Sequence, residues 1–122
     1  MRPEELRKIV NDLVKLPAET EWVEFKINNV NPQEIGEYIS ALSNSACLHN
    51  QPCGYLVFGV QNKTHKIVGT HFKPKNEKVG NEELENWLTR LLAPRVDFRI
   101  FEFPIENKNI VYEHSSCTHS SA

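Results

Sequence analysis

One stretch limits the fold of this chain more than any other: Gly54–Val60, GYLVFGV, a continuous apolar run of strand length. A strand with one wet face alternates apolar and polar residues. A run without alternation predicts a central strand covered on both faces. The rest of the chain has to supply that cover.

Two helices are predicted before the run and one after it. Residues 3–14 carry Leu6, Ile9, Val10, Leu13 and Val14 at helical spacing, with Pro3 in the first turn and Leu16-Pro17-Ala18 as the stop. Residues 32–46 follow a helix-start signature: Asn31 as N-cap, Pro32 at the first position and Glu34 two residues on, with Ile35, Ile39, Leu42 and Ala46 as the buried stripe. Asn81 is expected to cap a third helix over 82–92, with Leu84, Trp87, Leu88 and Leu91 inward and Pro94 as the stop.

Strands are predicted at 21–27, where Val23, Phe25 and Ile27 alternate with Trp22, Glu24 and Lys26, and at Val96–Phe103, with Ile110–Tyr112 pairing back across Glu106–Asn109. Ile67-Val68-Gly69 reads as a short returning strand. The order α-β-α-β-β-α-β-β defines an α+β fold, a single mixed sheet packed with about three helices. Residues 1–113 form the expected domain. His114–Ala122, rich in Ser and His, is expected to be a disordered or non-native tail.

Composition narrows the function. The 122 residues fit one domain, and no apolar run approaches the ~18 residues of a membrane span. The N-terminal MRPEELRKIV has acids where a signal peptide would be apolar, so the expectation is a cytoplasmic protein without membrane partners. A net charge of −2 places any nucleic-acid contact on a local patch. Cys47, Cys53 and Cys117 make an odd count without zinc-site spacing, and Cys47 and Cys53 are expected as reduced, buried small hydrophobes.

The local patch is Lys63–Lys78, KTHKIVGTHFKPKNEK. It holds Lys63, Lys66, Lys73, Lys75 and Lys78 against the single acid Glu77, with His65 and His71 as further cations at lower pH. Exposed lysines contact phosphates without reading sequence, and Lys26 is a further candidate contact. A solvated loop would look the same. Trp22 and Tyr55 are candidate base-stacking residues, and Arg90, Arg95 and Arg99 are secondary cationic candidates.

Four stretches in order, ETEWVEFK, EIGEYISALSNSA, GYLVFGVQN and HKIVGT, resemble the Schlafen-type Alba-like (AlbA_2) family of DNA-binding domains. The resemblance covers roughly residues 16–113. It implies an Alba-like sheet and a DNA or RNA partner, with DNA preferred. It also implies a fragment of a longer bacterial-type protein, a transcriptional regulator or RecG-related helicase, whose C-terminal domain is missing here. No G-x-x-x-x-G-K-[ST] occurs, so helicase activity is not assigned to these residues.

Some Schlafen relatives are RNA-cleaving enzymes that use three carboxylates. The resemblance carries two of these onto Glu19 and Glu24, as candidate catalytic residues and metal ligands, with Lys26 beside them to stabilise developing charge. The third position reads Gln61-Asn62, amides instead of an acid. Oxygen ligands suit Mg²⁺ or Mn²⁺, the cofactor of this alternative only; otherwise no cofactor is expected. The first alternative function is thus a divalent-metal nuclease. The second is a non-catalytic homodimer joined through a sheet edge built from 96–112.

Overall fold

The computed structural model describes residues 1–18, 20–28 and 31–117. Three helices, α1 (Pro3–Leu13), α2 (Pro32–Leu48) and α3 (Leu84–Leu92), pack on a four-stranded sheet of β1 (Val23–Lys26), β2 (Gly54–Phe58), β5 (Val96–Ile105) and β6 (Lys108–Cys117). The strand order is β1-β2-β6-β5. β1 and β2 are parallel and the other pairs antiparallel, so the sheet is mixed and the fold is α+β, as the sequence predicts.

α2 is the crossover that a parallel β1–β2 pair requires. Its start follows the predicted chemistry: Pro32 opens it and the Asn31 side chain accepts from the Glu34 N–H at 3.1 Å. β2 lies inside the sheet, and Leu56, Val57 and Phe58 are each no more than 2% exposed. Alternation sends them to two different cores. Val57 joins Phe25, Phe103, Ile110 and Tyr112 beneath Leu6, Val10 and Leu13 of α1. Leu56 and Phe58 join Val96 and Val111 beneath Ile35, Ile39 and Leu42 of α2 and Leu84 and Leu88 of α3. A run without alternation is what two apolar layers require.

Several local expectations differ. Asn81 does not cap α3. Gly80–Asn81 is the two-residue turn of a small hairpin, β3 (Lys78–Val79) with β4 (Glu82–Glu83), and α3 starts only at Leu84 after Glu83. Ile67 makes an isolated bridge to Val60 instead of a strand. Leu91 is 52% exposed because the apolar stripe of α3 narrows at its last turn. The β5–β6 hairpin is longer at both ends than the apolar residues suggest. Glu106 and Asn107, both at positive φ, close it as a two-residue turn, and Ile105 pairs with Lys108.

The boundary at residue 114 also moves. β6 continues through Cys117, with His114 and Ser115 paired to Tyr55 and Gly54 on one side and to Arg99 and Phe98 on the other. These residues are polar, yet they sit between two strands, and the small Ser115 side chain fits under α2, facing the Ile39 carbonyl. The remainder of the expected tail, 118–122, lies outside the described residues.

Two features of the α2 side of the sheet have measurable consequences. A Cβ at Gly54 would stand 2.4 Å from the Leu42 carbonyl oxygen, so only glycine lets α2 lie this close. Gly54→Ala is expected to cost about 3 kcal/mol in denaturant unfolding, since helix backbone has to move. Further along, Glu113 is 1% exposed between Leu56 and Ile100, and neither carboxyl oxygen has a hydrogen-bond partner. Burial pushes its pKa well above the usual carboxylate range, against a small opposing effect of the nearby Ser115 hydroxyl. The folded protein then holds a proton that the unfolded chain releases. Stability contributed by this proton is full below the ordinary carboxylate range and is lost as pH rises towards the raised value. Glu113→Met is expected to be more stable than the parent at pH 8, by about 1–3 kcal/mol, with the gap narrowing towards pH 4. Urea titrations at both pH values measure it.

Candidate nucleic-acid interface

The polar face of β1 is the α2 side of the sheet. Glu24 and Lys26 flank Phe25, whose side chain goes to the opposite core. The Lys26 ammonium stands 3.6 Å from a Glu24 carboxylate oxygen and 4.6 Å from the centre of the Tyr38 ring on α2. Tyr38 first, and then the Glu24 carboxylate, raise the Lys26 pKa above the ordinary lysine value, opposed by partial desolvation. The charge of Lys26 is therefore fixed in place and partly matched by Glu24.

At the carboxyl ends of β1 and β2 the surface opens into a groove of about 400 Å³, lined by Phe25, Lys26, Ile27, Asn28, Gln61, Asn62 and Lys63. Such ends of adjacent parallel strands are a common place for ligands in α/β sheets. The wall formed by Gln61–Lys66 is a tight loop. Gly59, at φ 107°, turns the chain out of β2, and its carbonyl accepts from both Val68 and Gly69. Gln61 N–H donates to the Lys66 carbonyl, and His65 N–H donates to the Gln61 carbonyl. The Thr64 hydroxyl accepts from Lys66 N–H and donates to Gln61 Oε1 at 2.9 Å. His65 pins the loop to the body: its Nδ1 donates to the Val14 carbonyl at 3.0 Å, and its ring meets Phe25 edge-on at 4.6 Å.

The other wall is held by Asn28. Its Oδ1 accepts from the Thr70 hydroxyl at 2.9 Å and from His71 N–H at 2.8 Å, while Thr70 also donates to the Ile27 carbonyl. A backbone N–H can only donate, so the side-chain oxygen of Asn28 faces His71 and its NH₂ is left for the groove.

The lysines of 63–78 do not act as one patch. Lys63 and Lys66 are exposed on the groove loop and form no ion pair with described residues. Lys73 reaches Glu102 on β5 at 3.4 Å, and Lys78 stands opposite Glu83 in the β3–β4 ladder. Lys75 lines a depression with Glu83 and Glu85. The chain wraps from one sheet edge to the other over this stretch, so neighbours in sequence part in space. Arg90 is taken by Glu82 at 2.7 Å, which lowers the Glu82 pKa and raises that of Arg90.

Tyr55 lies on the α1 face, away from Glu24 and Lys26, beside Tyr112. Trp22 packs its ring on His49, whose Nε2 meets Glu21 at 2.8 Å. Cys47, expected inside, is exposed at the last turn of α2, and Cys53 is half-buried. Glu19 lies outside the described residues. Tyr38 and Asn28 were not singled out by the sequence. Asn28 shares the parity of Glu24 and Lys26, the one signal that could have found it.

A divalent ion needs carboxylate oxygens free to ligate. Among the described residues no three His, Cys, Asp or Glu side chains gather to hold a metal. Glu24 is engaged by an ammonium, Gln61 Oε1 is engaged by Thr64, and Lys63 adds positive charge. Of the two candidate ligand carboxylates, only Glu24 is among the described residues, and there it is paired with Lys26.

A mixed sheet with a βαβ crossover and a groove lined by amides and lysines at its parallel end defines an α+β domain. The family model for Schlafen, AlbA_2 matches residues 19–116, and the chain belongs to that family. This membership is consistent with interaction with nucleic acid. No curated protein matches the chain in sequence. Among the described residues no helix is long and apolar enough to cross a membrane.

Since His65 is the tie between loop and body, His65→Ala is expected to lower stability by about 1–2 kcal/mol. Amide exchange is expected to quicken in Gln61–Lys66 more than in β2, which hydrogen-exchange NMR resolves.

Proposed function

We propose that this chain is a nucleic-acid-binding domain, DNA preferred over RNA, that grips the phosphate backbone through the loop Gln61–Lys66 and the end of β1. Membership of the Schlafen AlbA_2 family supports the class of ligand. The observation that carries the surface is the placement of the lysines: Lys63 lines the groove and Lys66 stands on its loop, neither in an ion pair among the described residues, whereas Lys73 is paired with Glu102 and Lys78 lies away from the groove in the β3–β4 ladder. Glu34 and Glu37 line the outer side of α2 near Tyr38, so a polyanion approaches from the loop side. On the same family grounds the domain serves within a longer regulator-like or RecG-related protein.

The two other readings draw less support. A metal nuclease would rest on Glu19 and Glu24, and Glu24 is already paired with Lys26. A homodimer through the β5 edge would have to overcome Asp97, Arg99, Glu102 and Pro104 on that strand, residues that blunt edge pairing.

The test is the salt dependence of binding to labelled single-stranded DNA. Removal of each phosphate-contacting lysine lowers the slope of log K against log salt by about 0.7. The double change Lys63→Ala, Lys66→Ala is expected to lower it by about 1.4. Lys73→Ala with Lys78→Ala is expected to leave it nearly unchanged. Absence of binding at low salt would reject the reading, and equal effects of the two pairs would reject the assigned surface.

A further inference from the structure

We propose that the groove at the ends of β1 and β2 binds a phosphodiester directly through N–H donors, with no bridging divalent cation. This deepens the nucleic-acid reading above and rests on it.

The polarity of the groove carries the inference. A metal-bridged phosphate site presents oxygen atoms to the ion. Here the side-chain oxygens of Asn28 and Gln61 are engaged internally. Asn28 Oδ1 takes two hydrogen bonds, one from a backbone N–H, which fixes the orientation of the amide. Gln61 Oε1 takes the proton of the Thr64 hydroxyl, and that hydroxyl oxygen is itself satisfied by Lys66 N–H. With both acceptor positions of Asn28 taken, that amide offers a ligand its NH₂, and the Gln61 NH₂ is a second donor. Lys63 lines the same groove with three more donors and a positive charge. Donors of this kind favour an anionic oxygen and repel a cation.

The loop is also built before any ligand arrives. His65 ties it to Val14, and Gln61 and Lys66 close its neck. A site ordered in advance loses little freedom on binding.

Affinity for 5′-fluorescein single-stranded DNA is measured by anisotropy in EDTA and in millimolar Mg²⁺ at matched ionic strength. Two variants are compared with the parent. Asn28→Asp retains the acceptor used by His71 and Thr70, so the loop keeps its fold while one donor becomes an anion. Gln61→Glu likewise retains the acceptor for Thr64. The parent is expected to bind in EDTA at least as tightly as in Mg²⁺. Each variant is expected to bind about 10-fold more weakly in EDTA. Gln61→Glu is expected to regain part of that loss in Mg²⁺, since a carboxylate creates the cation requirement the parent lacks. Parent affinity that drops tenfold in EDTA and returns with Mg²⁺ would overturn direct binding while leaving the nucleic-acid reading standing. Variants that bind like the parent in both buffers would overturn the groove as the site. Absence of binding by the parent in both buffers would overturn the nucleic-acid reading itself.

Discussion

Everything on the α2 side of this domain depends on how closely α2 approaches β2 at Gly54. The Leu42 carbonyl occupies the space where a side chain would begin. That contact brings the Ile35, Ile39 and Leu42 stripe onto Leu56 and Val111, and it fixes the height of the helix above the sheet. Tyr38 rises from the same helix. Its ring meets the Lys26 ammonium at 4.6 Å. The geometry of the polar strand face thus follows from a packing constraint at a residue with no chemistry of its own.

Glu113 shares the α2 face of β6 with Val111 by alternation. A carboxyl group without a hydrogen-bond partner is costly to bury as an anion, by several kcal/mol. It is tolerated here because the proton stays on, which converts the side chain into a neutral, poorly satisfied polar group of moderate cost. Leu56 and Ile100 flank it in the ladder. The chain accepts this in a core that has apolar residues to spare, with Val111 two residues before it fully buried and in good company.

Much of the fold was legible in the chain because it was written in residues with strong local meaning. Asn31-Pro32 starts α2 as capping chemistry requires, and GYLVFGV lies between two apolar layers. The errors fall where local signals compete. Asn81 looks like a cap before Glu82 and Glu83, yet Gly80-Asn81 is an equally good hairpin turn, and here it closes the β3–β4 ladder. His114 and Ser115 carry no apolar signal, since a strand flanked by two partners is held by backbone hydrogen bonds whatever its side chains are. The site was legible only in part. Glu24 and Lys26 share a face by simple alternation, whereas Asn28 is recruited by Thr70 and His71, more than 40 residues away, a contact no spacing rule contains.

The segment ETEWVEFK offers three carboxylates and a lysine, and a metal is the first thing such a set suggests. Its described part resolves into separate duties. Phe25 is core, Glu21 meets His49, and Glu24 is matched with Lys26. A carboxylate holding an ammonium 3.6 Å away serves as a positioning group for that ammonium as much as a ligand for an ion. With amides at 61 and 62 and Lys63 next to them, the balance of charge at the strand ends shifts from negative to positive within one turn of chain. Amides at 61 and 62 with Lys63 beside them place N–H donors and a positive charge at the end of β2, where an acid would have placed a negative one.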